Sequence, residues 1–165
     1  MSLFALQFAL MAGARVIATS GNDAKLGRVK ALGAFGTINY RRTPDWANEV
    51  LRLTDGRGVD HLLEVGGPGS FEQSLEAIRH GGQIKVIGYL GGAEGAANPL
   101  DIFRKQAHVR GIAVGSRAML EALIAAYGAS RLRPVVDRVF PLADAAQALR
   151  HLHSGEQFGK VVLAV

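Results

Sequence analysis

The stretch Val59-Asp60-His61-Leu62-Leu63-Glu64-Val65, followed at once by Gly66-Gly67-Pro68-Gly69, decides the fold. Its first part predicts a strand that ends at a glycine-rich turn. Phe71–Ile78 predicts a helix, and Gln83–Gly88 predicts a second strand that again ends at glycine. A strand, a helix and a strand joined by short glycine-rich turns are typical of a βαβ unit with parallel strands.

The same alternation continues on both sides of this unit. Further strands are expected at Arg15–Thr19, Thr37–Tyr40, His108–Val114, Arg138–Phe140 and Lys160–Val165. Further helices are expected at Leu3–Met11, Ala24–Leu32, from Thr43-Pro44 onward, Ala118–Tyr127 and Ala143–Leu152. Asp23 is the predicted N-cap of the second helix, Gly33 its left-handed C-cap, and Thr43 the N-cap of the third. The sequence therefore predicts an α/β fold with a mostly parallel sheet.

Composition excludes several classes of protein. The 165 residues include 48% hydrophobic and 20% charged residues, which is typical of a folded domain, and no cysteine. Disulfide scaffolds, cysteine nucleophiles and thiolate zinc sites are thereby excluded, and a reducing cytoplasm is the expected location. The apolar segment Met1–Ala14 is shorter than the roughly 20 residues that span a bilayer, so no membrane partner is expected.

Neither nucleic acid nor a metal is an expected ligand. The net charge is +5, but the basic pairs Arg41-Arg42 and Arg131-x-Arg133 are far apart and are not interleaved with aromatic residues. His151 and His153 are two residues apart on a predicted helix, so they do not share a face as zinc ligands would. A mild basic excess suits a small phosphorylated ligand.

Three glycine-rich turns follow predicted strands: Thr19-Ser20-Gly21, Val65-Gly66-Gly67 and Gly88-Tyr89-Leu90-Gly91-Gly92. Ligands of open parallel sheets bind beyond the carboxyl ends of the strands. Glycine at such a turn lets the backbone approach a ribose or a pyrophosphate without a Cβ clash. Each turn alone fits a purely structural role, but three at one edge favour a ligand site that includes Thr19, Val65, Gly66, Gly88 and Leu90.

Joined motifs along the chain resemble the medium-chain dehydrogenase/reductase superfamily, specifically its zinc-type alcohol dehydrogenases and quinone oxidoreductases. They are Ala14–Thr19, Lys25-Leu26, Ala31–Ala34, Ile38–Tyr40, Thr54–Asp60, Gly81-Gly82, Ile87-Gly88 and Phe158–Leu163. The resemblance implies a Rossmann-like, doubly wound sheet and covers only the latter half of a family member. Residues 1–134 would be part of the nicotinamide-dinucleotide-binding domain. Residues 135–165 would be a remnant of the catalytic domain, packed on the same sheet.

The resemblance also implies that parts of the family's machinery are missing. The usual first strand and its glycine-rich turn belong before Leu3, and the chain contains no G-x-G-x-x-G. We therefore expect a truncated chain or a misplaced start codon, with no catalytic residues and no turnover. The empty place in the sheet lies between Arg15–Thr19 and Val59–Val65, and Lys160–Val165, apolar on both faces, is the strand expected to fill it, from the same chain or swapped from a second one. The alternative is that this strand pairs at a sheet edge or in a second chain.

The resemblance places Ser20 where an acid normally binds the ribose 2′-hydroxyl. A carboxylate there would repel a 2′-phosphate, whereas Ser20, Lys25 and Tyr40 can donate hydrogen bonds to one. In relatives resembling quinone oxidoreductases, the matching lysine and tyrosine contact that phosphate. NADP is therefore favoured over NAD as the cofactor.

Three functions remain open. The first is a fragment of an NAD(P)H-dependent oxidoreductase of the alcohol dehydrogenase or quinone reductase type. The second is a non-catalytic cofactor-domain or dimerisation module, since the family strand matching His108–Val114 pairs across a homodimer axis. The third is an S-adenosylmethionine-dependent methyltransferase, because Leu63–Gly69 resembles the first motif of that fold, although Pro68 stands where a motif glycine belongs.

Overall fold

Strands and helices alternate through the chain, and the computed structural model describes residues 1–130 and 132–165. Arg131, of the basic pair with Arg133, lies outside the described residues. The strands are β1 (Ile17–Ser20), β2 (Gly36–Asn39), β3 (Val59–Glu64), β4 (Ile78–Val86), β5 (His108–Gly111), β6 (Val136–Pro141) and β7 (Lys160–Ala164). The helices are α1 (Ser2–Met11), α2 (Asp23–Ala31), α3 (Trp46–Leu53), α4 (Pro68–Ala77), α5 (Pro99–Lys105), α6 (Arg117–Ala129) and α7 (Ala145–His153).

Two compact units divide the chain. The first, here called the sheet unit, comprises Ile17–Leu26 and Gly36–Gly115. The second, here called the terminal unit, comprises Met1–Val16, Gly27–Phe35 and Ser116–Val165. All of the ligand-site residues predicted from the sequence fall in the sheet unit.

The sheet unit contains two parallel sheets. In one, β1 pairs with β2 from Ile17 opposite Gly36 to Ser20 opposite Asn39. In the other, the order is β3-β4-β5, and all of its pairings are parallel. The α/β class with parallel strands is thereby confirmed. Since β1 and β3 belong to different sheets, the arrangement also agrees with the expected lack of the usual first strand.

A shared hydrophobic core joins these two sheets. Ile38, Ala47, Val50 and Ala77 are buried together, and partly buried residues of both sheets pack on them, among them Ile17 and Val59. Trp46 packs against the same cluster, in accord with the core role that its helical spacing predicts. A second cluster, formed by Phe71, Leu75, Ile78 and Ile84, lies between α4 and β4.

The terminal unit has a core of aromatic contacts and a sheet of its own. Phe4 and Phe8 of α1 contact the ring of Tyr127 on α6, at centroid distances of 5.6 and 5.4 Å. The Tyr127 hydroxyl donates to Gln7 Oε1 at 2.5 Å. The strands β6 and β7 pair in parallel, from Val136 opposite Lys160 to Pro141 opposite Ala164.

The expected insertion of Lys160–Val165 between Arg15–Thr19 and Val59–Val65 is wrong, because β7 pairs with β6 in this separate two-stranded sheet. An interior parallel strand buries its side chains on both faces. In β7 no residue is buried, since each is either exposed or half-buried. The division of the chain at residue 134 stays a prediction.

Two predicted helix caps are also wrong. The backbone N–H of Lys25 donates to Asn22 Oδ1 at 3.0 Å, so Asn22 caps α2, and Asp23 is its first residue. α3 begins at Trp46, after Asp45, rather than at Thr43-Pro44. Gly33, with φ of +106°, does end α2 in the left-handed region, as predicted.

Candidate functional site

The carboxyl ends of β1 and β2 bring four predicted site residues, Thr19, Ser20, Lys25 and Tyr40, to one edge of their sheet, here called the β1–β2 edge. The N–H of Tyr40 donates to the carbonyl of Ser20 at 3.2 Å, which carries the strand pairing past its last paired residues. Ser20 Oγ accepts the N–H of Asn22 at 3.3 Å, which shapes the turn into α2. Lys25 lies in the first turn of that helix, where the partial positive charge of the helix adds to its own.

A fifth residue, Arg41, approaches this edge at Gly21, and it is not among the site residues predicted from the sequence. A Cβ at Gly21 would lie 2.8 Å from Arg41 Nε and 3.0 Å from the Tyr40 hydroxyl oxygen. The missing side chain thus leaves room for a guanidinium and a phenol side by side. In the sequence Arg41 stands out only as part of the basic pair with Arg42, and its position directly after Tyr40 is the signal that indicates the same site.

Asp23, the acid in the first turn of α2, is already engaged. Asp23 Oδ1 accepts the side-chain amide of Asn39 at 2.6 Å, and Asp23 Oδ2 lies 2.5 Å from Arg42 Nη2. Among the ion pairs of the described residues, none involves Arg41. The β1–β2 edge therefore presents a guanidinium and hydroxyl groups, which together suit a phosphate group.

The other four predicted residues, Val65, Gly66, Gly88 and Leu90, follow the carboxyl ends of β3 and β4. This part of the second sheet is here called the β3–β4 edge. Leu90 N–H donates to the Val65 carbonyl at 2.9 Å, and Gly91 N–H donates to the Gly66 carbonyl at 2.8 Å. These bonds hold the two turns together beyond the strands. The Leu90 side chain is 88% exposed, so its backbone rather than its side chain makes the contact.

Glu64, the last residue of β3, is a buried carboxylate that sequence reasoning missed. It is 3% exposed and accepts hydrogen bonds from the N–H groups of Gly66 and Gly67, at 2.7 and 3.1 Å. The hydroxyls of Ser70 and Ser74, both on α4, also donate to it. The available signal was an acid at the end of a predicted strand, directly before a glycine-rich turn.

A cavity of about 410 Å³ opens at the β3–β4 edge. Its walls come from the two turns, from the start of α4 and from the following loop, namely Glu64, Gly67, Pro68, Phe71, Val86, Gly88, Tyr89, Ala93, Gly95 and Ala97. Gly67 has φ of +98°, and a Cβ there would lie 2.6 Å from the Gly92 carbonyl oxygen, so only glycine fits. Of the four predicted residues at this edge, only Gly88 lines the cavity.

Zinc does not fit the residues of this chain. The sequence has no cysteine, and among the described residues no three histidine or carboxylate side chains cluster as ligands would. No zinc-dependent step is therefore assigned to any of them. In the part of the chain that the structure describes, no helix is long and apolar enough to cross a membrane.

The residues of the β3–β4 edge lie within a segment that matches a known protein family. Residues 1–128 match the family described as zinc-binding dehydrogenase. This match includes Leu63–Gly69, and it favours a dehydrogenase over the methyltransferase that this stretch alone resembles.

Individual relatives agree. A zinc-type alcohol dehydrogenase-like protein of Schizosaccharomyces pombe is 43% identical over 169 residues, which are 99% of this chain and 49% of that protein. The solved structure of an NAD-dependent alcohol dehydrogenase is 42% identical, with a TM-score of 0.89 over 98% of this chain and 47% of that one. A mycobacterial protein solved in complex with NADPH is 25% identical, with a TM-score of 0.82 over 97% of this chain and 53% of that one. This chain spans about half the length of these relatives, and it belongs to the zinc-binding dehydrogenase family.

Proposed function

We propose that this chain is the cofactor-binding half of an NADP-dependent oxidoreductase, and that the β1–β2 edge binds the 2′-phosphate of the cofactor. The observation that carries the proposal is the approach of Arg41 Nε and the Tyr40 hydroxyl to Gly21, at the end of β1. A planar guanidinium and a phenol donate several hydrogen bonds to phosphate oxygens. Ser20, the last residue of β1, and Lys25, in the first turn of α2, are proposed as further donors of the same edge.

The electrostatics of the same edge favour NADP over NAD. Position 20 carries a serine, so no carboxylate at the end of β1 repels a phosphate. Asp23, the acid that follows, is engaged by Arg42 and Asn39. One relative is named as NAD-dependent and another was solved with NADPH, so the donor set of this chain decides the proposed preference.

The β3–β4 edge is proposed as the contact for the nicotinamide end of the cofactor, through the backbone of Val65, Gly66, Gly88 and Leu90. When bound, the nicotinamide ring would supply the hydride for reduction of a substrate. At the two edges the described groups are donors suited to a phosphate and backbone groups, and the Glu64 carboxylate already accepts four hydrogen bonds from the chain itself. We therefore propose that the chain by itself binds the cofactor without turnover.

The chain is also proposed to form a homodimer through residues 108–114. All four residues of β5 are exposed, and among the described residues β5 pairs only with β4, so the other edge of β5 is open. Val109, Ile112 and Val114 are 36, 41 and 89% exposed along this segment. An open, apolar edge strand is a template for pairing with another strand.

The test of the cofactor proposal uses 2′,5′-ADP, which carries the 2′-phosphate, and 5′-AMP, which does not. Isothermal titration at fixed ionic strength should show tighter binding of 2′,5′-ADP. Arg41→Ala removes charge-assisted hydrogen bonds worth about 1.5–3 kcal/mol, so binding of 2′,5′-ADP should weaken by about 10- to 100-fold. Binding of 5′-AMP should hardly change.

Arg52→Ala is the matched control, because it removes the same charge from an exposed arginine of α3 that pairs with Glu49. It should leave both affinities unchanged. Ser20→Asp should reverse the preference by placing a carboxylate at the end of β1. Equal binding of the two nucleotides by the unmodified chain, or an equal loss of both in Arg41→Ala, would refute the assignment of the 2′-phosphate to this edge.

A further inference from the structure

Glu64 occupies the start of helix α4 from the strand side. The helix has 10 residues, and its first residue is Pro68, which has no N–H. Glu64 Oε1 accepts three hydrogen bonds, from Gly66 N–H, Gly67 N–H and Ser70 Oγ, at 2.7, 3.1 and 2.7 Å. Glu64 Oε2 accepts the hydroxyl of Ser74, one turn further along α4.

Both N–H donors lie just before the first helical residue, since Gly67 is the N-cap of α4 and Gly66 precedes it, whereas the hydroxyls of Ser70 and Ser74 belong to α4 itself. Backbone N–H groups that point out of the first turn, together with the helix dipole, attract a phosphate or a carboxylate. Two backbone N–H groups and two hydroxyls all point at one carboxylate here. A carboxylate has about four acceptor positions, so the donors and the acceptors are matched in number. The chain thus supplies its own anion at this position.

The Glu64 carboxylate lies at the wall of a cavity, where it affects which ligands can bind. Glu64 and Gly67 both line the cavity of about 410 Å³ at the β3–β4 edge. A ligand phosphate that entered there would find the N–H groups of Gly66 and Gly67 already occupied. It would also meet a buried negative charge at close range, where the local dielectric is low. The remaining walls are mostly apolar or backbone.

We propose that Glu64 determines the specificity of this cavity, since its carboxylate fills the anion-binding position of α4 and thereby excludes phosphate groups while admitting uncharged ones. The inference rests on the proposed function in one respect, namely that the phosphate binds at the β1–β2 edge instead. Removal of the Glu64 carboxylate converts the start of α4 into a phosphate site.

The experiment titrates inorganic phosphate into the whole chain and follows the backbone amide resonances of Gly66 and Gly67 by NMR. The unmodified chain should show no saturable shift at these two amides. Glu64→Ala should show saturable shifts at both, with phosphate affinity at least about tenfold higher than in the unmodified chain. Glu64→Gln keeps the shape but not the charge, and it should show a smaller gain.

Glu76→Ala is the matched control, because it removes an equal charge from an exposed position of the same helix and should leave the Gly66 and Gly67 resonances insensitive to phosphate. Saturable phosphate binding at these amides in the unmodified chain would overturn the proposal, as would the absence of a gain in a folded Glu64→Ala. If Glu64→Ala does not fold, a Glu64→Gln variant that behaves as the unmodified chain overturns it.

The same NMR spectra test the 2′-phosphate assignment and the role of Glu64 independently of each other. Titration with 2′,5′-ADP reports at the amides of Gly21 and Arg41, and a null result there removes the 2′-phosphate assignment without changing the phosphate response of Gly66 and Gly67. A null result at Gly66 and Gly67 in the Glu64 variants removes the role of Glu64 alone.

Discussion

Replacement of Asp137 by alanine should destabilise the terminal unit more than any surface substitution in it. Asp137 Oδ2 lies 2.8 Å from His151 Nε2 on α7, and Oδ1 accepts the backbone N–H of Phe158 at 2.9 Å. The side chains of Asp137 and His151 are only 17 and 16% exposed. One carboxylate on β6 therefore connects α7 to the segment that leads into β7.

The expected loss follows from these contacts. The N–H of Phe158, a residue that is 6% exposed, would lose its acceptor in a partly buried position, which costs about 1–3 kcal/mol. The bond to His151 adds about 1 kcal/mol. Arg28 Nη1 lies 4.0 Å from Asp137 and its side chain is 54% exposed, so that ion pair contributes under about 1 kcal/mol. The sum is about 2–4 kcal/mol, or about 5–15 °C in the unfolding midpoint of a chain of this size.

The contribution of Asp137 should also depend on pH. The hydrogen bond from His151, and next the N–H of Phe158, hold the pKa of the Asp137 carboxyl below its ordinary value. A group whose pKa is lowered by folding stabilises the folded state above its unfolded pKa of about 3.9 and loses that effect as the pH falls through the folded pKa. The difference in stability between the unmodified chain and Asp137→Ala should therefore be full near neutral pH and shrink below about pH 4.

Urea unfolding followed by circular dichroism measures this difference, and hydrogen exchange of β6 and β7 locates it. Asp137→Asn keeps an oxygen for the Phe158 N–H and should recover part of the loss. Glu156→Ala, at an exposed position of the same unit, is the control and should change stability by less than about 0.5 kcal/mol. A loss in Asp137→Ala no larger than in Glu156→Ala, or one that does not change between pH 7 and pH 3, would refute the reasoning.

Two further predictions concern the sheet unit. Ile84 of β4 is fully buried, so Ile84→Ala should lower the free energy of unfolding by about 2–5 kcal/mol in urea. The control Val136→Ala, at a 44% exposed position, should lower it by less than about 0.5 kcal/mol, and similar losses in the two variants would contradict the core assignment. Val109→Lys should abolish the proposed homodimer in sedimentation analysis, because a lysine blocks edge pairing, while Leu149→Lys on α7 should leave it intact; a monomeric unmodified chain would remove the dimer proposal.

The alternation of strands and helices was predictable from the sequence because each element carries its own local pattern. Val59–Val65 and its glycines predict β3, and the structure has it at Val59–Glu64. Helix α5 (Pro99–Lys105) was not predicted, although Asn98 caps it through the N–H of Leu100 and proline takes its first position. A helix of seven residues, preceded by a loop of glycine and alanine, has too little periodicity to stand out.

The placement of the candidate site residues was predictable where it depends on backbone position, and not where it depends on contacts between distant residues. Ser20 is the last residue of β1 and Tyr40 directly follows β2, and because these strands pair in parallel, the proximity of the two residues follows from the topology alone. That Arg41 would approach Gly21 depends on a rotamer, which no local pattern specifies. The same limit applies to His151, whose sequence position excluded a zinc role but did not indicate Asp137 as its partner.

The position of β7 shows why apolar pattern alone does not assign a strand to a sheet. Lys160–Val165 is apolar on both faces, which suits any interior parallel strand, so the pattern specified an environment without specifying a partner. The strand pairs instead with β6, from which only one 3₁₀ turn, α7 and a short loop separate it. Closing that short connection costs less entropy than reaching β1 or β3, which both lie far earlier in the chain. No strand pairs with both β1 and β3 among the described residues, and the two sheets are connected by side-chain packing. Ile17 of β1 and both Val59 and Leu62 of β3 pack on the buried cluster that contains Ile38 and Ala77. The two sheets are thus joined by burial of apolar side chains rather than by backbone hydrogen bonds.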